Sequence, residues 1–127
     1  MATASARFQD FAYALLRLVS GLALSCHGAQ KLFGILGGPR IPFPAQIWFG
    51  GIIELTCGLA MAFGWYTRIA AFLASGTMAV AYIQFHWKLQ MSAAFFPLVN
   101  KGEMALIYCF LFFYFLAKGN GTWSVQR

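Results

Sequence analysis

The sequence has few charged residues, and acidic side chains are the scarcest among them. Of 127 residues, 3 are Asp or Glu and 9 are Lys or Arg, so charged residues make up 9% of the chain and hydrophobic residues 61%. Soluble domains are about 25% charged and about 45–50% apolar. This chain therefore has too little charge to cover a surface that faces water. The composition excludes a soluble enzyme, a disordered tail and a nucleic-acid-binding module, and it predicts a protein of the lipid bilayer.

The basic residues are scattered, and the cysteines are few and far apart. The net charge of +6 includes no run of Lys and Arg, which argues against nucleic acid as a partner and indicates contacts with anionic lipid headgroups. Cys26, Cys57 and Cys109 form no C-x-x-C pair, and an odd number cannot complete a set of internal disulfides. We interpret the three cysteines as small packing residues.

Long apolar runs are abundant. A helix needs about 20 mostly apolar residues to cross a hydrocarbon core of about 30 Å, and residues 11–35, 45–65, 68–88 and 102–118 meet this requirement. The N-terminus lacks the pattern of a cleaved signal peptide, so the first run is predicted to be a retained span. Short connections between the spans predict a single domain over residues 1–127, an all-α integral membrane four-helix bundle with up-down-up-down topology.

Four spans would place both termini on the same side of the membrane. The basic residues near that side are Arg7, Arg68, Lys118 and Arg127, whereas the opposite loops carry Arg40, Lys88 and Lys101. Because cytoplasmic loops carry the excess of Lys and Arg, this distribution favours cytoplasmic termini. The prediction is a multi-pass protein of the inner, or cell, membrane.

Glu54 is the ionisable residue predicted to lie deepest in the bilayer. A charged side chain at the centre of a span costs at least about 2.5–3.5 kcal/mol, so it must face protein or water. Gly50 and Gly58 flank Glu54 at i,i+4 spacing, and small residues allow a neighbouring helix to approach closely. The sequence therefore predicts that Glu54 faces inward. The predicted helix-packing glycines are Gly21, Gly28, Gly50, Gly51 and Gly58.

Polar side chains gather in one half of the predicted bundle. The first and third spans run in the same direction, so His27 and Lys31 lie at the same level as His86, near Glu103 at the start of the fourth span. This asymmetry indicates a polar pocket that opens toward the non-cytoplasmic face. The candidate pocket residues are Glu54, His27, Lys31, His86, Glu103 and Arg17.

Each candidate has a structural alternative. Lys31 could extend to the headgroups, Glu103 could interact with the dipole of its helix, and Glu54 could form a structural pair with Lys or Arg as readily as serve a reaction. No H-x-x-x-H or E-x-x-H pattern supports a metal site. A quinone site needs an apolar cleft with aromatic walls and one or two hydrogen-bonding groups. The candidate aromatic walls are Phe33, Trp48, Phe85 and Phe96.

Several short motifs resemble the DoxX family of small four-span bacterial membrane proteins. They are an Arg followed by a G-x-x-K segment (residues 17–31), a G-x-x-E segment with a later glycine (51–58), a G-x-x-T-R turn (64–68), an N-x-G-E helix start (100–103) and a G-N-G tail (119–121). The resemblance covers nearly the whole chain. It departs after Ser124, where Val125 and Gln126 stand in place of the acidic residue often found there.

The resemblance implies a membrane-anchored component of an oxidoreductase system, and it assigns no catalytic residues. Three hypotheses follow. The first is a small membrane subunit with a quinone- or lipid-binding pocket around Glu54. The second is a non-catalytic assembly subunit, held in a larger membrane complex by protein partners or by a second copy of the chain. The third is a small transporter or channel that acts as an oligomer.

Overall fold

The computed structural model describes residues 3–126. Within these residues there are five α-helices: α1 (Ala4–Phe33), α2 (Gln46–Phe63), α3 (Thr67–Ala81), α4 (Pro97–Asn100) and α5 (Glu103–Lys118). A π-helical turn, Tyr82–Trp87, continues α3, and a short 3-10 helix, Ala93–Phe95, precedes α4. Residues 3–126 contain no β-strand, which confirms the all-helical prediction.

Three of the helices are long and apolar enough to cross a membrane: Ala4–Phe33, Gln46–Phe63 and Thr67–Trp87, the last including the π turn. They correspond to the first three predicted spans. The fourth is present as α5, which has 16 residues and a length of about 24 Å at 1.5 Å per residue. That is shorter than a hydrocarbon core of about 30 Å. The protein is therefore a membrane protein with three helices of spanning length and a fourth, shorter apolar helix.

The ends of the helices follow local chemistry. Thr3 begins α1, because its hydroxyl accepts a hydrogen bond from the backbone N–H of Ala6 at 3.0 Å and so caps an amide that the helix leaves unpaired. This cap starts α1 seven residues before the predicted span. Gly34 ends α1 and Gly64 ends α2 in left-handed conformations, with φ of 66° and 72°, which glycine adopts without steric cost.

The core passes through all four long helices. It contains Leu24 of α1, Met61 of α2, Ala74 of α3, and Phe112 and Phe115 of α5, none of them more than 1% exposed. α1 packs along α2, α2 along α3, and α3 along α5. Small side chains of α3 meet large aromatic side chains of α5, so these two helices approach closely. Helices α1 and α2 meet through glycines, and that contact positions the candidate site.

Candidate functional site

Glycines bring the backbones of α1 and α2 together. A Cβ atom added at Gly21 would lie 2.5 Å from the carbonyl oxygen of Gly58, and one added at Gly58 would lie 2.5 Å from Oγ of Ser25. Nearer the other end of the two helices, a Cβ atom added at Gly28 would lie 2.6 Å from the carbonyl oxygen of Gly51, whereas one added at Gly51 would lie 3.1 Å from Cβ of Lys31. The distances at Gly21, Gly28 and Gly58 exclude any side chain larger than hydrogen, so the spacing of these three glycines fixes the register of α1 against α2.

This register places Lys31 of α1 beside Glu54 of α2. The Lys31 Nζ atom donates to both carboxylate oxygens of Glu54, at 2.6 and 2.8 Å. The Glu54 side chain is 4% exposed, whereas that of Lys31 is 29% exposed. Burial of a lone carboxylate is costly, and the attraction of a close ammonium group offsets that cost. Lys31 thus turns inward to the carboxylate and does not extend to the headgroup region.

A cleft of about 690 Å³ lies between α2 and α3, with Lys31 and Glu54 on its wall. Most of its lining is apolar, from Ile53 of α2 and from Phe72 and Val80 of α3. Phe72 and Val80 are exposed at the outer surface, which in a membrane protein faces lipid. The cleft is therefore open to the bilayer and carries an ion pair within otherwise apolar walls.

The π-helical turn places His86 and Phe85 at one end of the cleft. The Nδ1 atom of His86 lies 3.4 Å from the carbonyl oxygen of Asn100, which joins this turn to the segment before α5. π-Helical turns inside α-helices are rare and are frequent at functional sites. Of the four predicted aromatic wall residues, Phe85 lines the cleft. Phe33, Trp48 and Phe96 do not, because they lie on other faces of their helices and loops.

Two glutamines close the same end of the cleft, and neither is among the predicted site residues. The side-chain amides of Gln46 and Gln84 exchange hydrogen bonds of 2.8 and 3.0 Å between α2 and the π turn. Gln46 lines the cleft. Gln46 lies at the start of α2, and Gln84 lies at the end of the helical segment that follows it. Because consecutive spans run antiparallel, these two positions lie at the same level, and this was the signal in the sequence that could have identified the pair.

The remaining predicted residues lie elsewhere. His27 faces α5, where its ring centroid lies 6.4 Å from that of Tyr108. Glu103 is exposed in the first turn of α5. Gly50 borders the cleft, and the nearest atom to a Cβ added there is Cγ2 of Thr77 in α3 at 4.0 Å, so Gly50 does not join the contact with α1. Within residues 3–126, no group of three His, Cys, Asp or Glu side chains is placed to hold a metal ion.

Arg17, also predicted to belong to this pocket, lies near the middle of α1, at the opposite end of the buried face that includes Leu32. Its side chain is buried, and its two terminal nitrogens donate to the carbonyl oxygens of Asn120 and Trp123. The hydroxyl of Tyr13 donates to the carbonyl oxygen of Gly119 at 2.6 Å. About four helical turns separate Arg17 from Lys31, so the two residues serve different sites.

Residues 119–126, here called the C-terminal segment, cross this end of the helices. The backbone N–H groups of Val125 and Gln126 donate to the carbonyl oxygens of Phe63 and Gly64, at 2.9 and 3.2 Å. The backbone N–H of Thr67 donates to a side-chain oxygen of the same segment. We call this region the arginine end, and the region of Lys31 and Glu54 the ion-pair end.

Comparisons with known proteins identify a family match that includes residues of both ends. The model of the DoxX family matches residues 12–87, which contain Arg17, Lys31, Glu54 and His86. A protein of Haemophilus influenzae, described as "Uncharacterized protein", is 33% identical over an alignment of 125 residues that covers 95% of this chain and 92% of that protein. No solved structure matches the chain.

Proposed function

Because the chain belongs to the DoxX family, we propose that it is a small membrane subunit of an oxidoreductase system that binds a quinone or a lipid in the α2–α3 cleft. The observation that carries the proposal is the Lys31–Glu54 pair in the wall of an apolar cleft that opens to the bilayer. Hydrophobic ligands with a polar head need both features. The subunit would contact membrane lipids and either a protein partner or a second copy of itself.

The hydrogen-bonding groups suit a ligand oxygen. A lysine ammonium has three N–H donors, and Glu54 accepts from Lys31 with its two carboxylate oxygens. One donor of Lys31 is thus available for a quinone carbonyl or a lipid headgroup oxygen. Glu54 holds the ammonium group in place, so its role in this proposal is to position Lys31. His86, which also lines the cleft, supplies a second polar group near its end.

The proposed topology is a single domain of four spans, with α5 as the fourth and both termini on the cytoplasmic side of the inner membrane. The support is the packing of α5 on α3 and the absence of any charged residue between Glu103 and Lys118 in its sequence. A short apolar helix can cross a membrane when the bilayer thins locally or flanking side chains extend to the interface. A reporter enzyme fused at either terminus should report the cytoplasmic side in both cases; opposite sides would contradict the proposal.

Photolabelling tests the binding site. Gly76 lines the cleft, and no atom lies within 4 Å of a Cβ added there, so Gly76→Phe should fill the cleft without disturbing the fold. A photoreactive short-chain quinone and a photoreactive phospholipid would each be applied to the purified protein. We expect that labelling by one of them falls at least about tenfold in Gly76→Phe, which equals about 1.4 kcal/mol of binding free energy.

The matched control is Ala12→Phe, which adds the same side chain at an exposed position of α1 outside the cleft. Labelling of this variant should equal that of the unaltered protein. Equal labelling of all three proteins by both probes would contradict a ligand site in the cleft. The oxidoreductase role has a separate test: quinone reduction by membranes that lack the protein should be restored by Ala12→Phe and not by Gly76→Phe.

A further inference from the structure

A second groove lies at the arginine end and shares no residue with the α2–α3 cleft. Its volume is about 610 Å³, and its walls include Leu15 and Leu18 of α1, Phe63 of α2 and Trp123 of the C-terminal segment. Leu15, Phe63 and Trp123 are all exposed at the outer surface. The groove is therefore mainly apolar and is open at the outer surface of the helices along its length.

Arg17 borders this groove and brings to it a buried positive charge. The residue is 2% exposed. Its terminal nitrogens donate to backbone carbonyls of the C-terminal segment, and its Nε atom has no hydrogen-bond partner in the part of the chain that the structure describes. Carbonyl groups are dipoles without net charge, so they solvate the guanidinium group and leave its charge uncompensated. A buried charge without a counter-ion is strongly unfavourable.

Other cations lie at the same end of the helices as Arg17. The Lys118 Nζ atom lies 5.2 Å from the centre of the Tyr13 ring, and the Arg17 guanidinium lies 5.9 Å from the same centre. Arg68 donates to the carbonyl oxygen of Lys118. Asp10, about two turns before Arg17 on α1, is the acid closest to it in sequence. Among residues 3–126, none of these three cations pairs with a carboxylate.

We propose that this groove binds an amphiphile with an anionic head, a phosphate or a carboxylate, and that Arg17 is the residue that recognises the head. A guanidinium group presents N–H donors in a planar fork that matches both kinds of anion. The apolar chain of the ligand would lie along Leu15, Leu18 and Phe63. The ligand supplies a negative charge to cations that, among residues 3–126, pair with no carboxylate, and the site is independent of the α2–α3 cleft.

Native mass spectrometry of the purified protein in neutral detergent tests the proposal. The probes are phosphatidylglycerol, oleate, phosphatidylcholine and inorganic phosphate. Retention of phosphatidylglycerol above phosphatidylcholine supports a phospholipid head, and retention of oleate supports a fatty acid carboxylate. Equal retention of phosphatidylcholine and phosphatidylglycerol without retention of oleate, or retention of inorganic phosphate alone, would overturn the proposal, because the site would then select no anionic amphiphile.

Two variants and a control locate the bound molecule. Ala14→Phe adds bulk to the wall of the groove and leaves Arg17 intact, whereas Arg17→Lys keeps the charge and removes the fork. Each should weaken binding of the retained amphiphile by about tenfold, the loss expected for one charge-assisted hydrogen bond or an obstructed chain site. Arg7→Gln removes an exposed cation of α1 outside the groove and should leave binding unchanged. Undiminished binding in Ala14→Phe, or an equal loss in Arg7→Gln, would place the molecule elsewhere.

Discussion

Helix α1 carries a cation at each end of its buried face, and the two cations have different partners. At the ion-pair end, Lys31 meets a carboxylate of the neighbouring helix at 2.6 Å. At the arginine end, Arg17 meets backbone carbonyl oxygens of the C-terminal segment. In the first arrangement a carboxylate neutralises the cation, whereas in the second no carboxylate among residues 3–126 pairs with it. A buried cation in this protein can thus serve either to hold an acid or to hold a segment of chain.

The largest expected effect comes from removing the cation of the ion-pair end. Lys31→Met would leave Glu54, which is 3% exposed, without a partner, and breaking a buried pair in this way costs about 3–5 kcal/mol. Equilibrium unfolding in mixed micelles would measure the loss. The double variant Lys31→Met/Glu54→Leu removes both charges and should recover most of the stability. If the double variant were as unstable as the single one, packing rather than charge would explain the loss.

Removing the cation of the arginine end should cost less. Arg17→Met deletes the charge together with its hydrogen bonds, so no lone charge stays buried, and the expected loss is about 2–3 kcal/mol for bonds to a charged donor. The released C-terminal segment should be cut by protease faster than in the unaltered protein. Lys31→Met, compared under conditions that give the two variants equal stability, should leave the rate of this cleavage unchanged. Protease resistance of residues 119–126 equal to that of the unaltered protein would show that Arg17 does not hold the segment.

A smaller effect is expected for the hydroxyl of Tyr13. Tyr13→Phe removes the buried bond to the carbonyl oxygen of Gly119 and keeps the ring that packs against Phe115. The unfolding free energy should fall by about 1 kcal/mol, the usual contribution of one hydrogen bond. Tyr114→Phe is the control, since Tyr114 is exposed and its hydroxyl should contribute almost nothing. A loss as large in Tyr114→Phe would contradict a specific role for the bond.

The smallest effect belongs to the glutamine pair that closes the cleft. Gln46 and Gln84 are both exposed, so Gln84→Ala should change the unfolding free energy by at most about 0.5 kcal/mol. The variant should instead alter access to the cleft, measured as the rate at which the quinone or lipid probe labels the protein. An unchanged labelling rate would show that the pair does not control access.

The sequence predicted the helices and the inward-facing side chain of Glu54 because both depend on local sequence pattern. Apolar runs of spanning length identify a helix in lipid, and the i,i+4 spacing around Glu54 identifies its buried face. The route of the C-terminal segment has no such periodicity, so the partners of Arg17 could not be found. The predicted aromatic wall was wrong at Trp48 for a related reason. Its indole packs against Phe43 of the preceding loop, with ring centroids 4.9 Å apart, and loop packing has no helical period.

Because the chain is synthesised from its N-terminus, the contacts at the ion-pair end and at the arginine end form at different times. Lys31 and Glu54 are 23 residues apart, so their contact can form once the first two helices are in the membrane. Arg17 and its carbonyl partners are 103 and 106 residues apart, and contacts between such distant residues form slowly. Arg17 therefore lacks its final partners until translation reaches the end of the C-terminal segment. A chain truncated before residue 119 would retain the ion pair and expose this arginine. Burial of Arg17 therefore requires that the C-terminal segment has been synthesised.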